Sequence, residues 1–355
     1  MTNAMHFTDI PAPVLTLLRE GTVIPAHPLA LSPAMGIDTK RQRALTRYYI
    51  DAGAGGLAVG VHTTQFEIRE HGLYEDVLAL ASESADAWSD RPLVKVAGLV
   101  GRTRQAVAEA QIARSLGYHA GLMSLAAWKD ASVDEMIDHC EVVAREMPLF
   151  GFYLQPAVGG IALPFEFWRR FAAIENVVGI KMAPFNRYAT LDVVRGVAAA
   201  RAEDRVTLYT GNDDHIVGDL IAPYAIARDG GFVTLRIRGG LLGHWSVWTE
   251  AAVALHARCR AASAESVVTA DLLALDPQVT DCNAALFDVA NGFKGAIAGC
   301  HEVLRRQGLL DAVRCLSPGE RLSPGQADEI SRVATTYPHL TDDEFVARNL
   351  ERWLA

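Results

Sequence analysis

Between about residue 23 and residue 245, short apolar runs bounded by Gly or Pro alternate with amphipathic segments of helical period. The runs are VIPAHPLAL, GLAVGV, PLVKVAG, HAGLMSL, PLFGFYL, VVGIKMA, VTLYTG and GGLLGHW. Continuous apolar runs of this length read as strands covered on both faces, as in a parallel sheet. Segments 41–52, 105–116, 133–146, 191–202 and 216–226 carry the spacing of a helix with one apolar face. Eight strand–helix units in about 220 residues predict an α/β fold closed as a (β/α)8 barrel rather than an open sheet. A doubly wound sheet would want a GxGxxG turn after its first strand, and none is present.

Past Trp245 the strand pattern stops. Segments 246–262, 283–308, 324–335 and 342–354 read as helices, with breaks expected at Asp276-Pro277, Ser317-Pro318 and Ser323-Pro324. Residues 1–22 are therefore expected as an N-terminal extension, 23–245 as the barrel and 246–355 as a helical C-terminal domain. The stretch 223–238 is too long for a plain helix–strand loop and reads as an insertion before the eighth strand.

Composition narrows the function classes. The 42 acidic residues outnumber the 33 basic ones, giving a net charge of −9, and no Lys/Arg cluster offsets it. Nucleic-acid binding is not expected. Nor is a membrane partner, because no apolar stretch approaches the roughly 18 residues of a spanning helix. The first residues lack the basic start and long apolar core of a secretory leader. Five cysteines without a CxxC pair fit reduced thiols, so a cytoplasmic location is expected.

In a barrel of this kind, working residues sit where the strands end. Those positions hold His62, Thr63, Thr64 and Gln65 on strand two, Tyr153 on strand five and Lys181 on strand six. Strand seven ends in Gly211, Asn212, Asp213, Asp214 and His215, and strand eight at His244. Lys181 interrupts an apolar run, where a charged amine is costly unless it is paired or neutral. A neutral amine attacks carbonyls to form Schiff bases; the other reading is a barrel lysine paired with a carboxylate such as Asp213. Lys95 also interrupts a strand, but before its end, and reads as structural. Tyr153 reads either as core with a satisfied hydroxyl or as a proton shuttle beside the lysine. Thr63 and Thr64 are ordinary β-branched strand residues or a carboxylate cradle. Asp213 and Asp214 are helix caps or acceptors for substrate hydroxyls. His62, Asp213, His215 and His244 are a conceivable divalent-metal set, but no HxH or HExxH spacing supports it, and no metal is expected.

Taken together, the Thr pair ending strand two, YLQPAVGG, GIKMAPFN and YTGNDD resemble the dihydrodipicolinate synthase / N-acetylneuraminate lyase family, with motif order and spacing matching over roughly residues 23–340. The resemblance implies a TIM barrel with a C-terminal helical domain, assembled as a homo-oligomer, and no cofactor. It implies that Lys181 forms an imine with pyruvate or another 2-oxo acid and that Tyr153 relays protons. Thr63 and Thr64 would hold the carboxylate, while Gly211, Asp213 and Asp214 match positions that take the polyol of the aldehyde partner in sialate lyases. Gln65 and His244 complete the expected substrate-binding set.

The departures from the family pattern are specific. The usual GTTGE reads His62-Thr63-Thr64-Gln65-Phe66, and Ala157-Val158-Gly159 stands where the synthases carry an arginine. Leu125-Ala126-Ala127 replaces the aromatic pair after strand four, with Trp128 close by. Lysine biosynthesis is therefore not expected. The reading is a class I lyase acting on a hydroxylated 2-oxo acid. Its rivals are a Schiff-base dehydratase or hydratase of a 2-oxo sugar acid, and a non-catalytic barrel that binds keto acids.

Overall fold

A computed structural model describes residues 4–265 and 267–355. Its strands are β1 (Val23–Pro25), β2 (Gly56–Val59), β3 (Val94–Leu99), β4 (Ala120–Met123), β5 (Leu149–Leu154), β6 (Val177–Ala183), β7 (Thr207–Thr210), β8 (Pro223–Arg228) and β9 (Gly231–Leu242). β1 to β7 and β9 make the barrel, each pairing in parallel with its neighbour, and β9 returns to β1. Between β1 and β2 a single parallel bridge, Ala26 to Ala58, draws the ring nearly shut. The fold is a (β/α)8 barrel with C-terminal helices, as the alternation predicts.

The N-terminal helix α1 (Ala12–Glu20) is followed by the outer layer: α2 (Thr39–Asp51), α3 (Tyr74–Trp88), α4 (Thr103–Ser115), α5 (Val133–Ala144), α6 (Phe165–Ala173), α7 (Arg187–Ala199) and α8 (Ile216–Ile221). Local chemistry starts several of them. Asp38 accepts the Arg41 N–H at the head of α2, Asn186 accepts those of Tyr188 and Ala189 at α7, and Ser132 with Glu135 forms a reciprocal cap on α5. The α8 helix stops five residues earlier than the apolar spacing suggests. Ala222 precedes Pro223, which disfavours helical backbone there, and the chain turns into a strand. The insertion is thus a hairpin: β8 runs antiparallel to β9 around Asp229-Gly230, both at positive φ.

The C-terminal helices are α9 (Thr249–Ala264), α10 (Ala270–Leu286), α11 (Ala296–Arg306), α12 (Gln326–Thr336) and α13 (Asp343–Leu354). The expected break at Asp276-Pro277 does not occur, since α10 runs through Pro277. Only one helical hydrogen bond is lost there, and Leu273, whose carbonyl would have accepted it, is exposed. The Asp276 side chain serves α8 instead, accepting the N–H groups of Val217 and Gly218.

Two apolar layers organise the barrel. Inside the ring lie Ile24, Ala58, Val96, Leu122, Phe150 and Phe152 with others, and α1 closes the floor by adding Val14 and Leu18. The Tyr209 hydroxyl donates to the Leu18 carbonyl at 2.8 Å and ties floor to wall. The second layer, between strands and helices, holds Leu149, Tyr153, Ile180 and Met182. Lys95 is structural as expected, its amine 2.8 Å from Asp86 and 3.0 Å from Ser82.

The register of β5 against β6 decides what shares a face with Lys181. Leu149 pairs with Val177, but Phe150 pairs with Gly179, so one residue of β6 is extra. This β-bulge flips the alternation of β6, and Val178 and Lys181 both point into the ring. Unbulged β5 keeps strict alternation: Phe150, Phe152 and Leu154 face inward, Leu149 and Tyr153 outward.

Candidate active site

At the C-terminal ends of the strands a cavity of about 50 Å³ opens over the barrel interior. Lys181 enters it from β6, Asp213 and Gly211 from the β7 end, and His62 and Thr63 from the turn after β2. Phe152 and Leu154 of β5, Val61, Ala183 and Phe185 make the wall apolar. The C-terminal helices supply the roof with Phe287, Phe293 and Ala296. Phe185 and Phe293 meet edge to face at 6.0 Å, so the β6 loop and the roof are in direct contact.

Lys181 is buried, with its Nζ 4.4 Å from the centre of the Phe152 ring. Burial in this apolar wall holds the amine well below its ordinary value, while the Asp213 carboxylate works the other way. Asp213 shows the mirror effect, raised by burial and held back by Lys181. Its Oδ1 accepts the His244 backbone N–H at 3.1 Å, which fixes the carboxylate. Gly211 makes room for the lysine stem: a Cβ there would stand 2.6 Å from Lys181 Cε. Burial and Lys181 also depress the His62 imidazole to about 4, so it is neutral at physiological pH.

Of the expected residues, the structure brings Lys181, Thr63, Gly211 and Asp213 together around the cavity. Thr64 is turned away: its hydroxyl donates to the His27 carbonyl at 2.7 Å and accepts the Gly60 N–H at 3.0 Å, locking the end of β2. Gln65 sits at positive φ with its Oε1 on the Leu316 N–H, tying the β2 turn to the C-terminal segment. Asp214 pairs with Arg187 at 3.5 Å rather than entering the cavity. His244 meets the site through its backbone alone, since its ring packs toward Trp248.

Tyr153 lies apart from this group. Its ring lies outside the barrel against Trp168, centroids 5.3 Å apart, and its hydroxyl accepts the Leu163 N–H at 3.2 Å. Alternation along β5 gives the inward place to Phe152, which stands opposite Lys181 in register. Had the Leu149–Val177 pairing continued without the bulge, Tyr153 would face Lys181, but both would then point outward.

The metal set does not assemble either. His215 is bound to Asp276 at 2.8 Å, and among the described residues no group of three His, Cys, Asp or Glu side chains converges. Trp128 is held between the His139 ring and Arg102, away from the cavity.

The residues that sequence reasoning missed are aromatic: Phe152, Phe185, Phe287 and Phe293. Phe185 is at positive φ, with its N–H on Asn212 Oδ1, a conformation that nothing in PFN announces. Beside the cavity, sharing His62 and Val158 with it, lies a more open hollow of about 330 Å³. Gln65, Glu67, Lys294, Ser317 and Glu320 give it a polar lining.

Comparison with known proteins bears on the family and the fold. Residues 21–222 match the model of the dihydrodipicolinate synthetase family. No curated protein sequence matches the chain. Among solved structures, the chloride-inhibited dihydrodipicolinate synthase from Acinetobacter baumannii, complexed with pyruvate, superposes with a TM-score of 0.72 at 18% identity, over 89% of this chain and 98% of that one. CdNal from Clostridium difficile, complexed with mannosamine, gives 0.72 at 14% identity over 89% and 99%. A monomeric dihydrodipicolinate synthase variant gives 0.72 at 19% over 90% and 97%. At these identities the superpositions speak for the fold alone. The family match spans well over half of the chain, from before β1 to the end of α8, and takes in Thr63, Lys181 and Asp213; this protein belongs to the dihydrodipicolinate synthetase family, a family of lyases and aldolases.

Proposed function

We propose that the protein is a class I lyase that joins Lys181 to the 2-oxo group of pyruvate or a related 2-oxo acid. It then breaks or forms a carbon–carbon bond in a hydroxylated 2-oxo acid. The observation that carries this reading is the setting of Lys181, a buried amine kept from full protonation at the mouth of a barrel. The neutral amine attacks the 2-oxo carbon, water leaves, and the protonated imine draws electrons from the neighbouring carbon.

Other features support the same reading. The Phe152 ring face lies over the nitrogen and favours the cation that forms there. Thr63 lines the cavity and carries a hydroxyl that can donate to the acid's carboxylate. A space of about 50 Å³ suits a small 2-oxo acid, and the adjoining hollow of about 330 Å³ leaves room for the hydroxylated remainder. The A. baumannii relative is itself complexed with pyruvate. Five thiols without a disulfide suit the reducing cytoplasm, where we place the enzyme as a homo-oligomer.

The test is borohydride reduction in the presence of pyruvate and a panel of 2-oxo acids, read by intact and peptide mass. A reduced adduct on the Lys181 peptide is expected, absent from Lys181→Ala. Folded wild-type protein that gives no adduct with any 2-oxo acid overturns the reading. Yields rank the acids, and the best one is then paired with aldehydes to separate carbon–carbon from carbon–oxygen cleavage.

A further inference from the structure

We propose that Asp213, not Tyr153, moves the proton between carbon and oxygen during turnover. This rests on the Lys181 imine reading and adds to it the group that makes the chemistry run. A carbon acid activated by an imine still needs a base within reach, and the same group must later act as an acid. Tyr153 cannot serve, because its hydroxyl lies on the helix side of β5 on the Leu163 N–H. Phe152 holds the place opposite Lys181 and has no proton to give.

Among the described residues around the cavity, three side chains are titratable: Lys181, His62 and Asp213. Lys181 is consumed in the imine. His62 would have to become a cation beside an iminium cation, and its surroundings already oppose that charge. Asp213 becomes an anion beside the iminium, which attraction favours. It is buried on the cavity wall, held by the His244 N–H on one oxygen, and enters from β7, next to β6 in the ring. The other ionisable groups that act on this region are Asp214, turned to Arg187, and the buried Cys300 thiol.

The cycle balances. In cleavage, the Asp213 carboxylate takes the proton of the C4 hydroxyl, the C3–C4 bond breaks, and its electron pair reduces the iminium to an enamine. The aldehyde leaves, Asp213 returns the proton to C3, and water hydrolyses the imine. In synthesis, Asp213 removes a C3 proton from the pyruvate iminium and delivers it to the aldehyde oxygen as the new bond forms.

One half of this can be read with pyruvate alone. In D2O, the iminium–enamine step exchanges the methyl protons of pyruvate, and the loss of their NMR signal gives its rate. Wild type is expected to exchange and to give the borohydride adduct. Asp213→Asn is expected to keep the adduct while exchange slows by about 10²- to 10⁴-fold, the range for a lost general base. Tyr153→Phe is expected to exchange within threefold of wild type. Should Asp213→Asn fail to fold, Asp213→Glu reads the same step: adduct kept with exchange slowed at least tenfold supports the assignment. Exchange at the wild-type rate in either Asp213 variant overturns it. So does an Asp213→Asn protein that folds but forms no adduct, which would put Asp213 at imine formation instead. Loss of exchange in Tyr153→Phe overturns it as well. A wild type without adduct is a different failure, that of the Schiff-base reading itself.

Discussion

Lys181 occupies the barrel mouth only because its neighbours leave space for a long stem. The tightest of them is Gly211: a methyl group there would lie 2.6 Å from Lys181 Cε and 2.8 Å from the Ala183 Cβ. Neither can retreat far, since both belong to β6, whose backbone is paired on both sides. The Gly211→Ala variant therefore tests the position of the amine without removing it. Its pyruvate adduct under borohydride is expected to fall at least tenfold, with stability reduced by about 1–3 kcal/mol through overpacking. An adduct at the wild-type yield would show that the amine works from some other position. The same scale explains the two threonines. They are adjacent in sequence, yet Thr64 spends its hydroxyl on His27 and Gly60 while Thr63 lines the cavity. Sequence offers no way to divide that labour.

At the scale of elements, the floor of the barrel comes from outside the ring. The α1 helix inserts Val14 and Leu18 among the inward side chains, and Leu18 is fully buried beneath Tyr209. Leu18→Ala is expected to lower stability by about 2–5 kcal/mol in urea denaturation, the range for a truncated core leucine. A loss under about 1 kcal/mol would mean that the helix is an appendage. What could be read in advance here divides along physical lines. The barrel strands were legible because they are apolar on both faces, while the stretch 223–238 read only as an insertion, with its Asp229-Gly230 hairpin turn unassigned. The bulge in β6 was not legible. It depends on pairing with β5, a contact that neither strand encodes by itself, and one added residue decides which side chains face inward. That is how the lysine of GIKMAPFN reaches the site while the tyrosine of YLQPAVGG stays among the helices. Pro277 misled for the opposite reason. It looks like a break, but tertiary packing tolerates the loss of one hydrogen bond on an exposed face.

Over the whole molecule, an apolar interior capped by C-terminal helices has a consequence for acid stability. Burial lowers His27, His62, His119, His139, His244 and His301 from 6.5 to about 4. Their contacts explain why they stay neutral: His119 Nδ1 accepts the Lys95 N–H, and His301 lies fully buried with no hydrogen-bond partner on Nε2. Between pH 6.5 and about 4 the unfolded chain binds protons that the folded chain refuses, so each of these groups removes stability as pH falls. Carboxylates with raised values oppose this. Asp342 and Glu320, both pushed to about 6 by burial, and the raised Asp213, Asp214 and Asp219 bind protons in the folded state first and add stability on acidification, as does His215, raised by its bond to Asp276. The lowered histidines, seven with His256, outweigh these because six of them carry the full shift to about 4, and carboxylates held low by ion pairs, such as Asp276 and Asp281, act in the same direction once pH drops below their ordinary value. The urea midpoint is therefore expected to fall steadily from pH 7.5 to pH 4.5, with an unchanged denaturant slope. A midpoint that holds or rises over that range would mean that the buried imidazoles are charged in the folded protein. His62 would then be protonated as well, and it would compete with Asp213 for the proton of the substrate.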